Sequence, residues 1–119
     1  MKTEHILRTE FSEDFVRKMK NRMITSFHKY GPIDINARLG NDAIKDLKKR
    51  LNLYEETGNT EWLVDVGNFA MIEFMYSHHP NAHFRSTDSS ESPGVDGLTI
   101  REKEKFDEKN RKENTWKRQ

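Results

Sequence analysis

Residues 43–74 read AIKDLKKRLNLYEETGNTEWLVDVGNFAMIEF, and they decide the fold. Ile44, Leu47, Leu51 and Tyr54 recur at helical spacing, with Lys45, Lys48 and Lys49 on the opposite side. Thr57-Gly58-Asn59 then breaks the pattern. Glycine suits the left-handed turn that ends a helix, and Asn59 or Thr60 can cap the next one. A second helix over about 41–56, capped by Asn41, and a third over about 61–76 follow, folded back as a hairpin. The third carries Trp62, Leu63, Val64, Val66, Phe69, Met71, Ile72, Phe74 and Met75 on most of its sides. A helix apolar nearly all round must be covered nearly all round. One neighbour cannot do that, so the third helix is expected both at the centre of the domain and in a subunit interface.

Upstream, Val16, Met19, Met23, Phe27 and Tyr30 mark one face of a first helix over about 11–30. Ser12 is its N-cap, Glu13 and Asp14 favour its positive end, and Gly31-Pro32 stops it. Pro32–Gly40 reads as a loop with Ile33 and Ile35 as anchors. Downstream, SHHPNAHFRSTDSSESPGVDG is polar and turn-rich. Leu98 onward mixes charges of both signs and fits a solvated helix or a disordered tail dispensable for folding. The expected organisation is an all-α core domain over 1–84, a polar loop over 85–97 and a charged segment over 98–119. The whole is expected as a dimeric helical bundle.

Composition narrows the function. The 119 residues include no cysteine, so disulfides, thiolate metal sites and cysteine nucleophiles are excluded. Net charge is +1 and mean hydropathy −1.02, which fits neither a strongly basic nucleic-acid binder nor a membrane span. The segment Met1–Phe11 contains Glu4, Arg8 and Glu10 and lacks a signal peptide's apolar centre, so a cytoplasmic protein is expected. Leu, Ile, Val and Phe number 25 of 119, and 21 of these lie in residues 1–84. So little core material favours a homo-oligomer.

Four constellations could carry chemistry. Glu61, Asp65 and Asn68 share one face of the third helix by their spacing. A carboxylate among aliphatics needs a partner or a metal. In a hairpin centred on Gly58, Asp65 stands level with Arg50, so an Asp65–Arg50 ion pair is the structural solution and ligand or metal binding the functional one. The second is the loop His78, His79, His83, Arg85, Thr87 and Asp88. His79 and His83 are four apart, but Pro80 intervenes and no third zinc ligand has a motif spacing. Arg85, among hydroxyls and histidines, instead suits phosphate, with His83 and Thr87 beside it. The competing reading is a solvated connector. Third, Arg22 and His28 have a spacing found in some helical RNA-cleaving domains, although Phe27 and Tyr30 beside them look like core. Fourth, Phe106 and Trp116 among tail lysines and arginines could stack on nucleic acid, but the interleaved acids argue against it.

The hairpin, preceded by Lys29-Tyr30-Gly31, resembles the all-α nucleotide pyrophosphohydrolases of the MazG type, small phage-encoded members above all. That resemblance implies Mg²⁺ held by helical carboxylates and hydrolysis of a nucleoside triphosphate to monophosphate and pyrophosphate. Carried over, it gives Glu61 and Asp65 as catalytic residues and Glu61, Asp65 and Asp46 as metal ligands, with Asn68, Arg50, His83, Arg85 and Thr87 on the nucleotide. The chain departs from the family pattern. Glu61 lies four residues before Asp65 where the family has three, and Asp42 and Asp46 replace an E-x-x-E. In the hairpin register Asp46 stands roughly 7–8 Å along the axis from Asp65. The alternative is a non-catalytic phage-type protein, acting in the host cytoplasm, that sequesters a nucleotide signal or binds and inhibits a host defence protein.

Overall fold

A computed structural model describes residues 2–87 together with 90, 104 and 105. Its described residues are helical, without a strand: α1 (Thr3–Glu10), α2 (Glu13–Tyr30), α3 (Ile33–Arg38), α4 (Ala43–Thr57) and α5 (Glu61–Met75). All five belong to one unit, Met1–Ala82. Most of the loop over 85–97 and of the segment over 98–119 lies outside the described residues. No described helix is long and apolar enough to cross a membrane.

Local chemistry fixes the ends of the hairpin. Gly58 has φ +72°, and its N–H donates to the Tyr54 carbonyl at 2.8 Å, closing α4 in the left-handed conformation. Asn59 Oδ1 accepts from the Glu61 N–H at 3.0 Å and so starts α5. The cap of α4 is Asp42 rather than Asn41: its Oδ1 accepts from the Lys45 N–H at 3.0 Å. A carboxylate there meets both the free amides and the helix dipole, while the Asn41 N–H turns back to the Asn36 carbonyl at 3.4 Å. Ser12 caps α2 as expected, through the Phe15 N–H at 3.0 Å.

Two elements depart from the sequence reading. Ile33–Arg38 forms the short helix α3 where a loop was expected, and Thr3–Glu10 forms α1, which was not foreseen. The inner face of α2 also differs. Phe15, Val16, Met19, Met23 and Ser26 are half-buried, whereas Phe27 and Tyr30, expected on the packed stripe, are exposed. The packed face continues through polar residues because α5 presents polar residues to it.

The contact between α2 and α5 turns on Gly67. A Cβ there would stand 3.1 Å from two ring atoms of Phe15 and 3.4 Å from the Met19 sulfur. The helices approach closely because this position has no side chain, which offsets the ~1 kcal/mol helix propensity lost relative to alanine. Among the described residues the buried hydrophobics are Ala43 and Val64 alone, and no large side chain is fully enclosed. Phe74 at the far end of α5 is 72% exposed.

Gly67→Leu should force α2 away from α5 and cost about 1–3 kcal/mol, a typical overpacking penalty. Phe15→Ala should recover part of that loss. Denaturant melts of the two single variants and the double variant measure the coupling. Equal losses with and without Phe15 would show that the two do not meet.

Candidate functional site

The polar residues of α5 occupy its most buried side. Asp65 is 8% exposed and Asn68 5%, next to Val64. Their partners come from α2. Arg22 Nε donates to Asp65 Oδ1 at 3.2 Å and Arg22 Nη2 to Asp65 Oδ2 at 3.4 Å. The third nitrogen, Nη1, lies 3.2 Å from Glu61 Oε1. One guanidinium fork therefore spans both carboxylates, in the planar geometry that lysine cannot reproduce. Asn68 Nδ2 donates to the Met19 carbonyl at 3.1 Å. Its Oδ1 is buried with no hydrogen-bond partner among the described residues.

This arrangement corrects the expected Asp65–Arg50 pair. Arg50 Nη1 instead meets Asp46 Oδ1 at 3.4 Å on its own helix, and its guanidinium lies 4.8 Å from the Phe69 ring centre. A hairpin register drawn from α4 and α5 alone leaves α2 out. The α2 helix, packed on the same side of α5, supplies the nearer cation. Arg50 Nε is buried and likewise unpartnered among the described residues.

Two adjoining cavities open beside these groups. The smaller, about 190 Å³, is lined by Arg22, Thr25, Ser26, Lys29, Arg50 and Asn68, with Tyr30 and Phe69. The larger, about 510 Å³, lies between α3, α4 and α5 and includes Asn36, Asn41, Asp42, Asp46, Glu73 and His78. Ser26, Tyr30, Arg50, Phe69 and Ile72 line both, so the two adjoin. A separate cavity of about 470 Å³ sits where the start of α2 meets the α4–α5 turn, with Arg22 and Glu61 on its wall.

Comparisons with protein-family models, curated proteins and solved structures find no match.

The structure brings some of the expected site residues together and separates others. Glu61 and Asp65 meet on Arg22, Asp46 meets Arg50, and Asn68 and Arg50 line the small cavity. His83, Arg85 and Thr87 follow Ala82 and belong to a second unit. Of the other histidines, His28 meets the Phe27 ring edge-on at 5.7 Å between centres, and His79 Nδ1 accepts from the Asn81 N–H at 3.0 Å. His78 Nδ1 is 2.7 Å from Glu73 Oε1.

Among the described residues no three His, Asp or Glu side chains stand close enough to hold a metal ion. Mg²⁺ demands several converging oxygens in near-octahedral geometry. Here Glu61 and Asp65 already share one guanidinium, and Asp46 is engaged elsewhere, so the expected donor set does not fit that ion.

The sequence reading missed Thr25, Ser26 and Lys29, and it noted Arg22 only for its spacing to His28. A signal was present: Met19, Arg22 and Ser26 continue one helical face, so an arginine lay in line with core positions. The carboxylates opposite supply its reason.

Arg22→Met removes the cation from a buried carboxylate. The expected loss is about 2–4 kcal/mol, below that of a fully enclosed pair because Arg22 is half-exposed. Replacing both partners, Arg22→Met with Asp65→Leu, should restore much of it, since an apolar pair leaves no charge stranded. Thermal melts decide this; a double variant as unstable as the single one would mean that Asp65 contributes through contacts other than Arg22.

Proposed function

We propose that this chain is a non-catalytic, homo-oligomeric binding protein for a phosphate-bearing small molecule, a nucleotide in the first instance, and that it acts by sequestering its ligand. The observation that carries the reading is the small cavity. Arg22, Lys29 and Arg50 line it with Thr25 and Ser26, and among the described residues Asp65 is the one carboxylate on its wall. Arg50 Nε is a buried donor without an acceptor among the described residues. A phosphate oxygen supplies that acceptor, and charge-assisted bonds to a guanidinium are the strongest of their kind.

The engagement of the expected acids supports binding without hydrolysis. A hydrolase needs a carboxylate that is free to polarise water or to hold a metal. Glu61 and Asp65 instead share the single positive charge of Arg22, and Asp46 faces Arg50.

Oligomerisation is supported by exposed apolar surface. Ile24 and Phe27 on α2 and Met75 on α5 stand exposed in the single chain. A second copy offers the same residues, so a self-complementary interface can cover them.

Calorimetry should detect nucleotide binding in EDTA as well as in Mg²⁺. Arg50→Ala should weaken it by about 10- to 100-fold, as expected for one charged hydrogen bond. Pyrophosphate release that requires Mg²⁺ would reject the non-catalytic reading, and no binding of any phosphate compound would reject the site.

Sedimentation at micromolar concentration should show a dimer or larger. A folded monomer of 14.1 kDa would exclude the oligomer.

A further inference from the structure

Two buried polar atoms of residues that line the small cavity lack a hydrogen-bond partner among the described residues, Arg50 Nε and Asn68 Oδ1. One is a donor and the other an acceptor. A fully ionised oxyanion answers the first and not the second. The Asn68 amide cannot turn round to remove the mismatch. Its Nδ2 donates to the Met19 carbonyl at 3.1 Å, and a flipped amide would set two oxygens against each other. Asn68 is 5% exposed, and an unmet acceptor at such a depth is costly.

The other lining residues agree with a ligand that both accepts and donates. Lys29 and Ser26 bring donors for an anion. The Thr25 hydroxyl gives its proton to the Asn21 carbonyl at 3.1 Å, so its oxygen is left as an acceptor. Asp65 is a further acceptor, with its two oxygens already held by Arg22 at 3.2 and 3.4 Å. The volume of about 190 Å³ is below the ~300 Å³ at which pockets for whole organic ligands begin. It suits a single tetrahedral group.

We propose that the small cavity takes phosphate in a protonated form, as hydrogen phosphate or as a terminal phosphate that keeps one proton, and rejects oxyanions that carry none. This rests on the phosphate reading of that cavity. A phosphoryl oxygen accepts from Arg50 Nε, and the P–OH donates to Asn68 Oδ1, so one group answers both buried atoms. Sulfate has the same tetrahedral shape and the same charge as monohydrogen phosphate. It has no proton to give, and Asn68 Oδ1 would stay unmet while facing an anionic oxygen. Sites that hydrogen-bond a ligand group discriminate strongly against analogues that lack it. The selectivity therefore lies in Asn68, and the affinity in Arg50 and Lys29.

Calorimetry on the full chain, in mildly alkaline buffer, compares three dianions of one shape: hydrogen phosphate, hydrogen arsenate and sulfate. The first two keep a proton there and should bind about 10- to 100-fold more tightly than sulfate, the cost of one unmet buried acceptor. Asn68→Leu should bring the phosphate-to-sulfate ratio toward one. Arg50→Lys should weaken both anions alike and keep the ratio. Melting temperatures report whether each variant is folded, and the ratio in the unaltered chain decides the selection if Asn68→Leu is not. Adenosine monophosphate tells the two sources of the group apart. Binding tighter than that of hydrogen phosphate makes the ligand a nucleotide's terminal phosphate, and weaker binding makes it the free ion. Equal affinity for all three dianions would overturn the proton selection and leave an anion site standing. Failure of the dianions and of adenosine monophosphate to bind would overturn the phosphate reading as well, and leave the two buried atoms to water. A phosphate preference that survives Asn68→Leu would overturn the role of Asn68.

Discussion

The bidentate contact of Arg22 with Asp65 is the constraint on which the helical unit depends. A carboxylate at the most buried side of an apolar helix is costly unless its charge is met. Arg22 meets it from α2, and so determines which face of α2 turns inward. Phe15 and Met19 then fall against Gly67, Asn68 reaches the Met19 carbonyl, and Phe27 and Tyr30 are left outside. An apolar pair in the same place could hold the helices as firmly. The ion pair adds register, because a fork of three nitrogens on two carboxylates tolerates little sliding or rotation.

The same contact gives the site its character. The face formed by Glu61, Asp65 and Asn68 suggests a cation site, and a cation does occupy it, as a guanidinium on the neighbouring helix. The remaining basic groups, Lys29 and Arg50, line the adjoining cavity beside hydroxyls. Position alone thus separates two sets of charges: Arg22 is turned mainly to protein carboxylates, and Arg50 Nε is buried without a hydrogen-bond partner among the described residues.

The helices α2 and α4 were legible because each runs four turns or more with apolar residues at 3.6-residue spacing and a recognisable cap or glycine stop, and α5 because a long apolar run stands between the Gly58 break and a polar loop. The all-α class followed from them. The helix α3 was not legible. Six residues cannot show a period, and Pro32 with Gly40 reads equally well as the frame of a loop. The helix α1 carries Ile6 and Leu7 among charged residues, too few to mark a face. The shared face of Glu61, Asp65 and Asn68 could be read from spacing alone. The partner of Asp65 could not, because a two-helix register contains no information about a third helix. The two adjoining cavities were hidden for a related reason. Their walls come from α2, α3, α4 and α5, and no run of sequence contains them together.

The turn at Gly58 separates two classes of contact by their distance along the chain. The α4–α5 hairpin joins near neighbours, whereas Arg22 and Asp65 stand 43 residues apart. Closing a short loop costs less entropy than closing a long one. The hairpin is therefore the natural nucleus, and α2 docks onto a surface that already exists. On this order of events, weakening Arg22 accelerates unfolding while leaving the folding rate nearly unchanged, and weakening the Gly58 turn slows folding itself. The residue that governs the site's charge then also governs how long the folded chain lasts.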